Sequence, residues 1–156
     1  MISNSSPLIC LSKVGRLALL KELYGEVHIP TAVRDEVLVD GKEDCVAIKK
    51  ALQEGWLKVV EPKTFRDYGI GPGENQALQL AFEKKDTIVL DDARAIRIAR
   101  IMGVRHIRTT SVILQAVTSR KLSRDEAVDV LNNMIGIGYY IAPKYYSRLL
   151  TRLLQL

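Results

Sequence analysis

Strand and helix signals alternate along the whole chain, and this alternation limits the possible folds more than any other feature of the sequence. Alternating units of this kind indicate a parallel sheet covered by helices on both faces. We therefore expect an α/β fold, a three-layer sandwich around a mostly parallel sheet. Residues 1–156 should form one domain, because no linker, low-complexity tract or internal repeat interrupts the pattern. The expected strands are residues 1–4, 26–29, 56–60, 87–90 and 104–108.

Helical periodicity and capping signals fill the segments between these strands. Ser5 or Ser6 should cap the first helix, and Ser123 with Glu126 has the spacing of a capping box. Residues 62–73 are expected to form a loop. The first expected helix begins near residue 7, the second covers residues 16–23, and the third follows residue 30. The last runs from residue 143 to the end. The helices between them are expected at residues 43–54, 74–85, 92–102, 110–120 and 123–134.

Acidic or amide side chains follow four of the predicted turns from strand or loop to helix. In an open parallel sheet, ligands bind at the carboxyl ends of the strands. Acids gathered there repel one another unless a cation or a proton lies between them. The pattern therefore predicts a site for a hard divalent cation in which one ligand is an amide. The candidate ligands are Asn4, Glu36, Glu74, Asp91 and Asp92.

Helical phase separates some of these acids from their neighbours. Glu36 lies about 60° from Val33, at the edge of the expected buried stripe, whereas Asp35 points away and should be solvated. Glu74 falls on the buried side of its helix, although a glutamate in a first turn can also simply favour the helix dipole.

Two adjacent acids, Asp91 and Asp92, follow an apolar strand, and phase does not choose between them as ligands. Either one could instead be an ordinary N-cap. The inner face of the helix that they precede is expected at Ala95, Ile98, Ala99 and Met102.

The protein is basic, with a formal net charge of +5 and a pI near 9.3. A basic protein with an acidic site suits a metal-dependent enzyme that acts on a phosphate backbone. Arg94, Arg97 and Arg100 recur at intervals of three and are candidates for RNA contacts, although such a stripe is often only a solvated helix face.

Several other classes of protein fit the sequence poorly. No apolar run approaches the roughly 20 residues of a membrane span, and no secretory signal opens the chain, so we expect a cytoplasmic protein with reduced Cys10 and Cys45. His28 and His106 lie in separate strands, which argues against zinc chemistry. Tyr139, Tyr140, Tyr145 and Tyr146 could stack on bases, or pack in the core or an interface.

The motifs occur in an order that resembles the PIN-domain family, and specifically its VapC-like branch with a Ser-Asn-x-Ser-Pro opening. The resemblance extends over nearly the whole chain, with residues 40–70 the least diagnostic, and it is carried by short motifs. They are SNSSPLI at residues 3–9, GEVHIPTAVRDEV at 25–37, GPGENQALQLA at 71–81 and VLDDARAIRIA at 89–99.

This resemblance implies an Mg²⁺- or Mn²⁺-dependent endoribonuclease, often the toxin of a toxin–antitoxin pair, that forms a homodimer and binds RNA and an antitoxin protein. It places the family's acids on Asn4, Glu36, Glu74 and either Asp91 or Asp92. The departure is Asn4, an amide that brings no negative charge. The alternative is a catalytically weak or inactive PIN-like protein that binds RNA or a partner. A receiver-like phosphoacceptor fits less well, because Thr109 and Thr110 occupy the place of its expected lysine.

Overall fold

Five parallel strands form one sheet in the structure, a computed structural model that describes residues 1–39 and 44–156. The order in the sheet is β3-β2-β1-β4-β5, and all four pairings are parallel. The predicted α/β fold with a parallel sheet is confirmed. The strands are β1 (Ile2–Ser3), β2 (Val27–Ile29), β3 (Leu57–Val59), β4 (Ile88–Val89) and β5 (His106–Ile107).

Nine helices lie in the same described ranges, close to the predicted segments. None of these helices is long and apolar enough to cross a membrane. The predicted helix at 43–54 is present, but its expected first residue, Glu43, lies outside the described residues. The helices are α1 (Ser5–Lys13), α2 (Ala18–Tyr24), α3 (Thr31–Val37), α4 (Asp44–Glu54), α5 (Pro72–Lys84), α6 (Ala93–Met102), α7 (Thr109–Thr118), α8 (Arg124–Gly136) and α9 (Pro143–Gln155).

The first strand is short, yet it occupies the centre of the sheet. Its backbone bonds to both neighbours: the amide of Ile2 donates to the carbonyl of Thr87 at 2.8 Å, and His28 donates to Met1 at 2.9 Å. From β1 the chain moves outward through β2 and β3 and then returns to β4 on the other side. The carboxyl ends of β1 and β4 therefore form the crevice in which open α/β sheets bind ligands.

The buried faces of the helices agree with the predicted apolar stripes. Val33 and Val37 on α3 are buried, as are Ala77, Leu78 and Ala81 on α5. On α6 the buried residues are Ala95, Ile96 and Ala99. Ile98 and Met102, the other two residues of the predicted inner face, are partly buried and pack against the core beside an open groove.

The start of α1 differs from the prediction, whereas the start of α8 agrees with it. Asn4, not Ser5 or Ser6, occupies the N-cap position of α1, with extended φ and ψ of −81° and 173°. The early start places Ser5 inside the first helical turn. The capping box of α8 is confirmed, with Ser123 and Glu126 each bonding the other's backbone amide.

The capping box generates a stability prediction. Ser123→Ala should lower the free energy of unfolding by about 1 kcal/mol, because an orphan amide of α8 loses its acceptor. Urea denaturation would measure the change. Ser147→Ala is the matched control, since its hydroxyl bonds only a carbonyl of its own helix at 3.1 Å, and its effect should stay within about 0.5 kcal/mol. Equal effects of the two variants would contradict the capping role.

Candidate active site

Three carboxylates from three helices lie near the carboxyl end of β1. Glu36 comes from α3, Glu74 from the first turn of α5, and Asp92 from the N-cap of α6. Burial raises the pKa of Glu74, and the negative charges of Asp92 and Glu36 raise it further. Asp92 and Glu36 are therefore close enough to disfavour the ionisation of Glu74, in the sense that the sequence predicted for acids gathered at the strand ends.

Asn4 lies beside this group and is only 2% exposed. A side-chain hydrogen bond from Asn4 lowers the pKa of Glu74, partly offsetting the repulsion. Since only the amide nitrogen can donate to a carboxylate, Oδ1 must point elsewhere. Within the described residues this oxygen has no hydrogen-bond partner. A buried acceptor without a partner is costly, so the position favours a ligand that accepts electron density from Oδ1.

The Glu36 carboxylate is solvent-exposed, but two groups hold it in place. The Ser5 hydroxyl donates a close hydrogen bond to Oε2, and the amide of Gly73 donates to Oε1 at 3.0 Å. Asp35, by contrast, is exposed and pairs with the Arg34 guanidinium at 2.9 Å. Asp35 is therefore solvated, as predicted, while the role of Glu36 as a site residue stays a prediction.

Gly73 is required by this close approach. A Cβ at position 73 would lie 2.4 Å, 2.5 Å and 2.6 Å from Oε1, Oε2 and Cδ of Glu36. At Gly71, two residues earlier, the nearest atom to an added Cβ is Oε2 of Glu74 at an ordinary 3.7 Å.

One polar stripe on α5 fixes the loop that leads to Gly73. Asn75 accepts from the amide of Tyr68 at 2.7 Å, Gln79 bonds the Thr64 hydroxyl at 2.7 Å, and Glu83 accepts from the amide of Lys63 at 2.7 Å. The sequence analysis did not identify these residues as functional. Their spacing of four was the available signal, because it places three hydrogen-bonding side chains on one helix face.

Asp91 and Asp92 have different hydrogen-bond partners, which indicates different roles. Asp92 caps α6, accepting from the amide of Ala95 at 2.8 Å through one carboxylate oxygen. Asp91 accepts three hydrogen bonds, from the amide and hydroxyl of Thr109 at 2.9 Å and 2.6 Å and from the Tyr139 hydroxyl at 2.6 Å. Asp91 thus fastens the start of α7 and the segment after α8, and the sequence analysis did not foresee either partner.

The oxygen atoms of the site fit a hard divalent cation by their chemistry. Carboxylate and amide oxygens are the ligands that Mg²⁺ and Mn²⁺ prefer. The raised pKa of Glu74 and the partnerless Oδ1 of Asn4 are both features that a cation would offset. Among residues 1–39 and 44–156, however, no three His, Cys, Asp or Glu side chains are grouped so as to hold a metal ion.

A cavity of about 750 Å³ extends from the acids toward the C-terminal part of the chain. Glu74, Asp91 and Asp92 line it, as do Arg108 and three tyrosines, Tyr139, Tyr140 and Tyr145. Tyr139 also packs against the core, as does Tyr146. Tyr139 donates to Asp91, and Tyr146 donates to Asn132 at 2.6 Å.

The three arginines predicted to bind RNA are all exposed on α6. The guanidinium of Arg94 lies beside Gly69. One of its nitrogens is 3.7 Å from the position that an added Cβ on Gly69 would take. None of the three lines the cavity. Their contacts with RNA therefore stay a prediction.

Comparison with known proteins decides the family. Residues 1–155 match the family described as DUF3368, a PIN domain. The chain belongs to the PIN-domain family. Members of this family are generally divalent-metal-dependent nucleases, and the resemblance in the sequence is confirmed at this level, while the VapC-like branch stays a prediction.

A solved structure has the same fold as this PIN domain. It is a PilT N-terminus domain protein from the hyperthermophilic archaeon Sulfolobus solfataricus, with a TM-score of 0.51 and 17% sequence identity. The alignment covers 75% of this chain and 94% of that protein. No curated protein matches the sequence significantly.

The contact between Gly73 and Glu36 generates a second prediction. Gly73→Ala should lower the free energy of unfolding by about 1–3 kcal/mol, because the added methyl overlaps the Glu36 carboxylate and forces it or the loop to move. Thermal melting followed by circular dichroism would measure the loss. Gly71→Ala is the control, with its nearest contact at 3.7 Å, and it should cost clearly less. Indistinguishable melting temperatures for the two variants would contradict the close approach.

The hydrogen bonds of Asp91 generate a third prediction. Asp91→Ala should destabilise the protein by about 1–3 kcal/mol, because the buried amide and hydroxyl of Thr109 lose their acceptor. Tyr139→Phe removes one of the three donors and should cost about 0.5–1.5 kcal/mol. Chemical denaturation of both variants checks the order. A larger loss for Tyr139→Phe than for Asp91→Ala would contradict the assignment.

Proposed function

We propose that this PIN domain is an Mg²⁺- or Mn²⁺-dependent endoribonuclease that cleaves phosphodiester bonds at the carboxyl ends of β1 and β4. One observation carries the proposal: the charges of Glu36 and Asp92 raise the pKa of Glu74, beside a buried Asn4 whose Oδ1 has no partner in the described residues. The family supports nuclease chemistry. The basic net charge of +5 supports a polyanionic substrate.

In this proposal the metal is held by Asn4, Glu36, Glu74 and Asp92. A bound divalent cation would polarise the scissile phosphate and activate a water for in-line attack. Ser5 and the amide of Gly73 orient Glu36. Asp91, the remaining acid of the predicted set, acts as a positioning residue because its oxygens already accept three hydrogen bonds.

The biological role inferred from the resemblance is that of a toxin in a toxin–antitoxin pair. RNA would be the substrate, a homodimer the working form, and an antitoxin protein the regulatory partner.

Growth arrest on induction of the chain, relieved by Glu74→Gln, would support the toxin role, and normal growth with soluble, folded protein would oppose it. Light scattering at micromolar concentration tests the dimer, and a monomeric mass would contradict it.

A second candidate function is a binding module without catalysis. Two observations favour it: position 4 carries a neutral amide, and no group of three potential acid, histidine or cysteine ligands is assembled in the described part of the chain. Cleavage of a labelled RNA panel with Mg²⁺, Mn²⁺ or EDTA separates the two functions. The nuclease proposal expects metal-dependent cleavage that Glu74→Gln abolishes. Metal-independent cleavage, or RNA binding without any cleavage, would reject it.

The raised pKa of Glu74 predicts a pH-dependent stability. Because its folded-state pKa lies above the unfolded value, its favourable contribution is complete below the unfolded pKa of 4.5 and is lost as pH rises through the folded pKa. Glu74→Gln should therefore raise the melting temperature of the metal-free protein at pH 7 and reduce the stabilisation by Mn²⁺. Glu22→Gln, an exposed change of equal charge on α2, should do neither. A metal-free Glu74→Gln protein that is less stable than the wild type would contradict the repulsion.

Asn4→Asp distinguishes the nuclease from the binding module. In a metal site, the added charge should tighten Mn²⁺ binding and raise RNA cleavage, because a hard cation is held largely by the charge of its ligands. In the absence of metal, the new carboxylate would face Glu74 in place of a donor, so the melting temperature in EDTA should fall. Calorimetric titration with Mn²⁺ and melting in EDTA measure both effects. A fall in EDTA with no gain in Mn²⁺ affinity would support the binding module.

A further inference from the structure

An unusually exposed aromatic side chain lies at the edge of the cavity. Tyr140 is 82% exposed, although it lines the same cavity as the carboxylates. Tyr145 lines the cavity from the first turn of α9, is 37% exposed, and shares a hydrogen bond of 3.2 Å with Thr110. Two aromatic rings beside the candidate site, one of them almost entirely in solvent, offer stacking surfaces for unpaired bases.

The outer side of α9 carries a row of cations that starts at this aromatic wall. Leu149 and Leu153 face the core. Lys144, Arg148 and Arg152 recur every fourth residue and are exposed, with about 6 Å of helix between successive members. We call these three residues the α9 row. Arg148 follows Tyr145 by three residues, which places the two side chains within about 60° of each other around the helix.

No acid neutralises the α9 row within the described ranges, where none of its members has an ion pair. Elsewhere in the same ranges Arg34 pairs with Asp35, and Lys58 pairs with Glu26 at 2.7 Å. The row is close in the chain to Tyr145, which lines the cavity together with Glu74, Asp91 and Asp92. Unpaired cations beside a cavity that contains acids would attract a phosphate backbone toward it.

We propose that a single-stranded RNA segment next to the scissile phosphate stacks on Tyr140 and Tyr145 and continues along α9, where its phosphates bind Lys144, Arg148 and Arg152. Arg108 contacts the backbone inside the cavity. This inference rests on the proposed ribonuclease function and adds the form of the substrate and the route that it follows. A duplex fits less well, because paired bases keep their faces stacked within the helix and cannot stack on the tyrosines.

The α9 row is tested by a charge-neutral variant against a matched control. Lys144, Arg148 and Arg152 are changed together to Gln. The control changes Arg120, Lys121 and Arg124 to Gln, which removes the same charge from exposed residues at the far end of α7. Anisotropy of a short fluorescent single-stranded RNA in EDTA, at about 50–200 mM KCl, gives the salt dependence of affinity. The α9 variant should bind more weakly, with a log–log slope smaller by about 2, since each lost phosphate contact removes about 0.7.

The stacking part of the inference is tested at Tyr140. Tyr140→Ala should weaken binding of the single strand by at least about fivefold, the lower end of what one base–aromatic stack contributes. Tyr140→Phe keeps the ring and should bind like the wild type. An RNA duplex of the same length should bind more weakly than the single strand. If Tyr140→Phe loses as much as Tyr140→Ala, stacking is excluded.

The outcomes separate the route from the function. If the wild type cleaves RNA but the α9 and control variants have the same affinity and salt slope, the route is wrong and the nuclease proposal stands. If the wild type neither binds nor cleaves RNA, the proposed function fails and the route fails with it. A changed mass of the α9 variant in light scattering, with unchanged RNA affinity, would assign this face to a protein contact and overturn the inference.

Discussion

The candidate site depends above all on the repulsion between Glu74 and the neighbouring carboxylates at the β1/β4 crevice. Glu74 is half-buried, and the charges of Asp92 and Glu36 reach it there. An acid at position 4 would add a fourth negative charge in a position that is almost fully buried. The Asn4 amide instead donates to Glu74 and keeps an oxygen available. An amide at position 4 therefore avoids a further charge in the metal-free fold, and in the proposed metal site it would supply a neutral oxygen where an acid would supply a charged one.

The neighbouring structure holds these acids apart in fixed positions. The hydroxyl of Ser5 and the amide of Gly73 donate hydrogen bonds to Glu36. The loop that leads to Gly73 is fixed by hydrogen bonds from the side chains of Asn75, Gln79 and Glu83. Fixing the loop costs conformational entropy, which the hydrogen bonds to α5 offset before any ligand arrives. The position of Glu36 thus depends on contacts from the first turns of α1 and α5, and not on its own helix α3 alone.

The sequence was sufficient to predict the parallel sheet and to place the candidate site residues near the ends of its strands, because both follow from local patterns. Strand and helix periods predicted the parallel sheet, and helical phase separated Glu36 from Asp35. The distinct tasks of Asp91 and Asp92 could not be predicted in this way. Their difference depends on Thr109 and Tyr139, which lie 18 and 48 residues along the chain from Asp91 and become neighbours only in the folded structure. The inner face of α6 could be predicted, because the helical period alone places Ala95, Ala99 and their neighbours Ile98 and Met102 toward the core.

The hydrogen bond from Tyr139 to Asp91 connects the last two helices to the crevice. Tyr139 lies three residues after the end of α8, and Tyr146 bonds α9 back onto α8 through Asn132. Local opening of the C-terminal helices would therefore expose the Asp91 carboxylate to water and remove a support beside the start of α7. The C-terminal helices are thus mechanically connected to the acidic crevice, although they supply none of the proposed metal ligands.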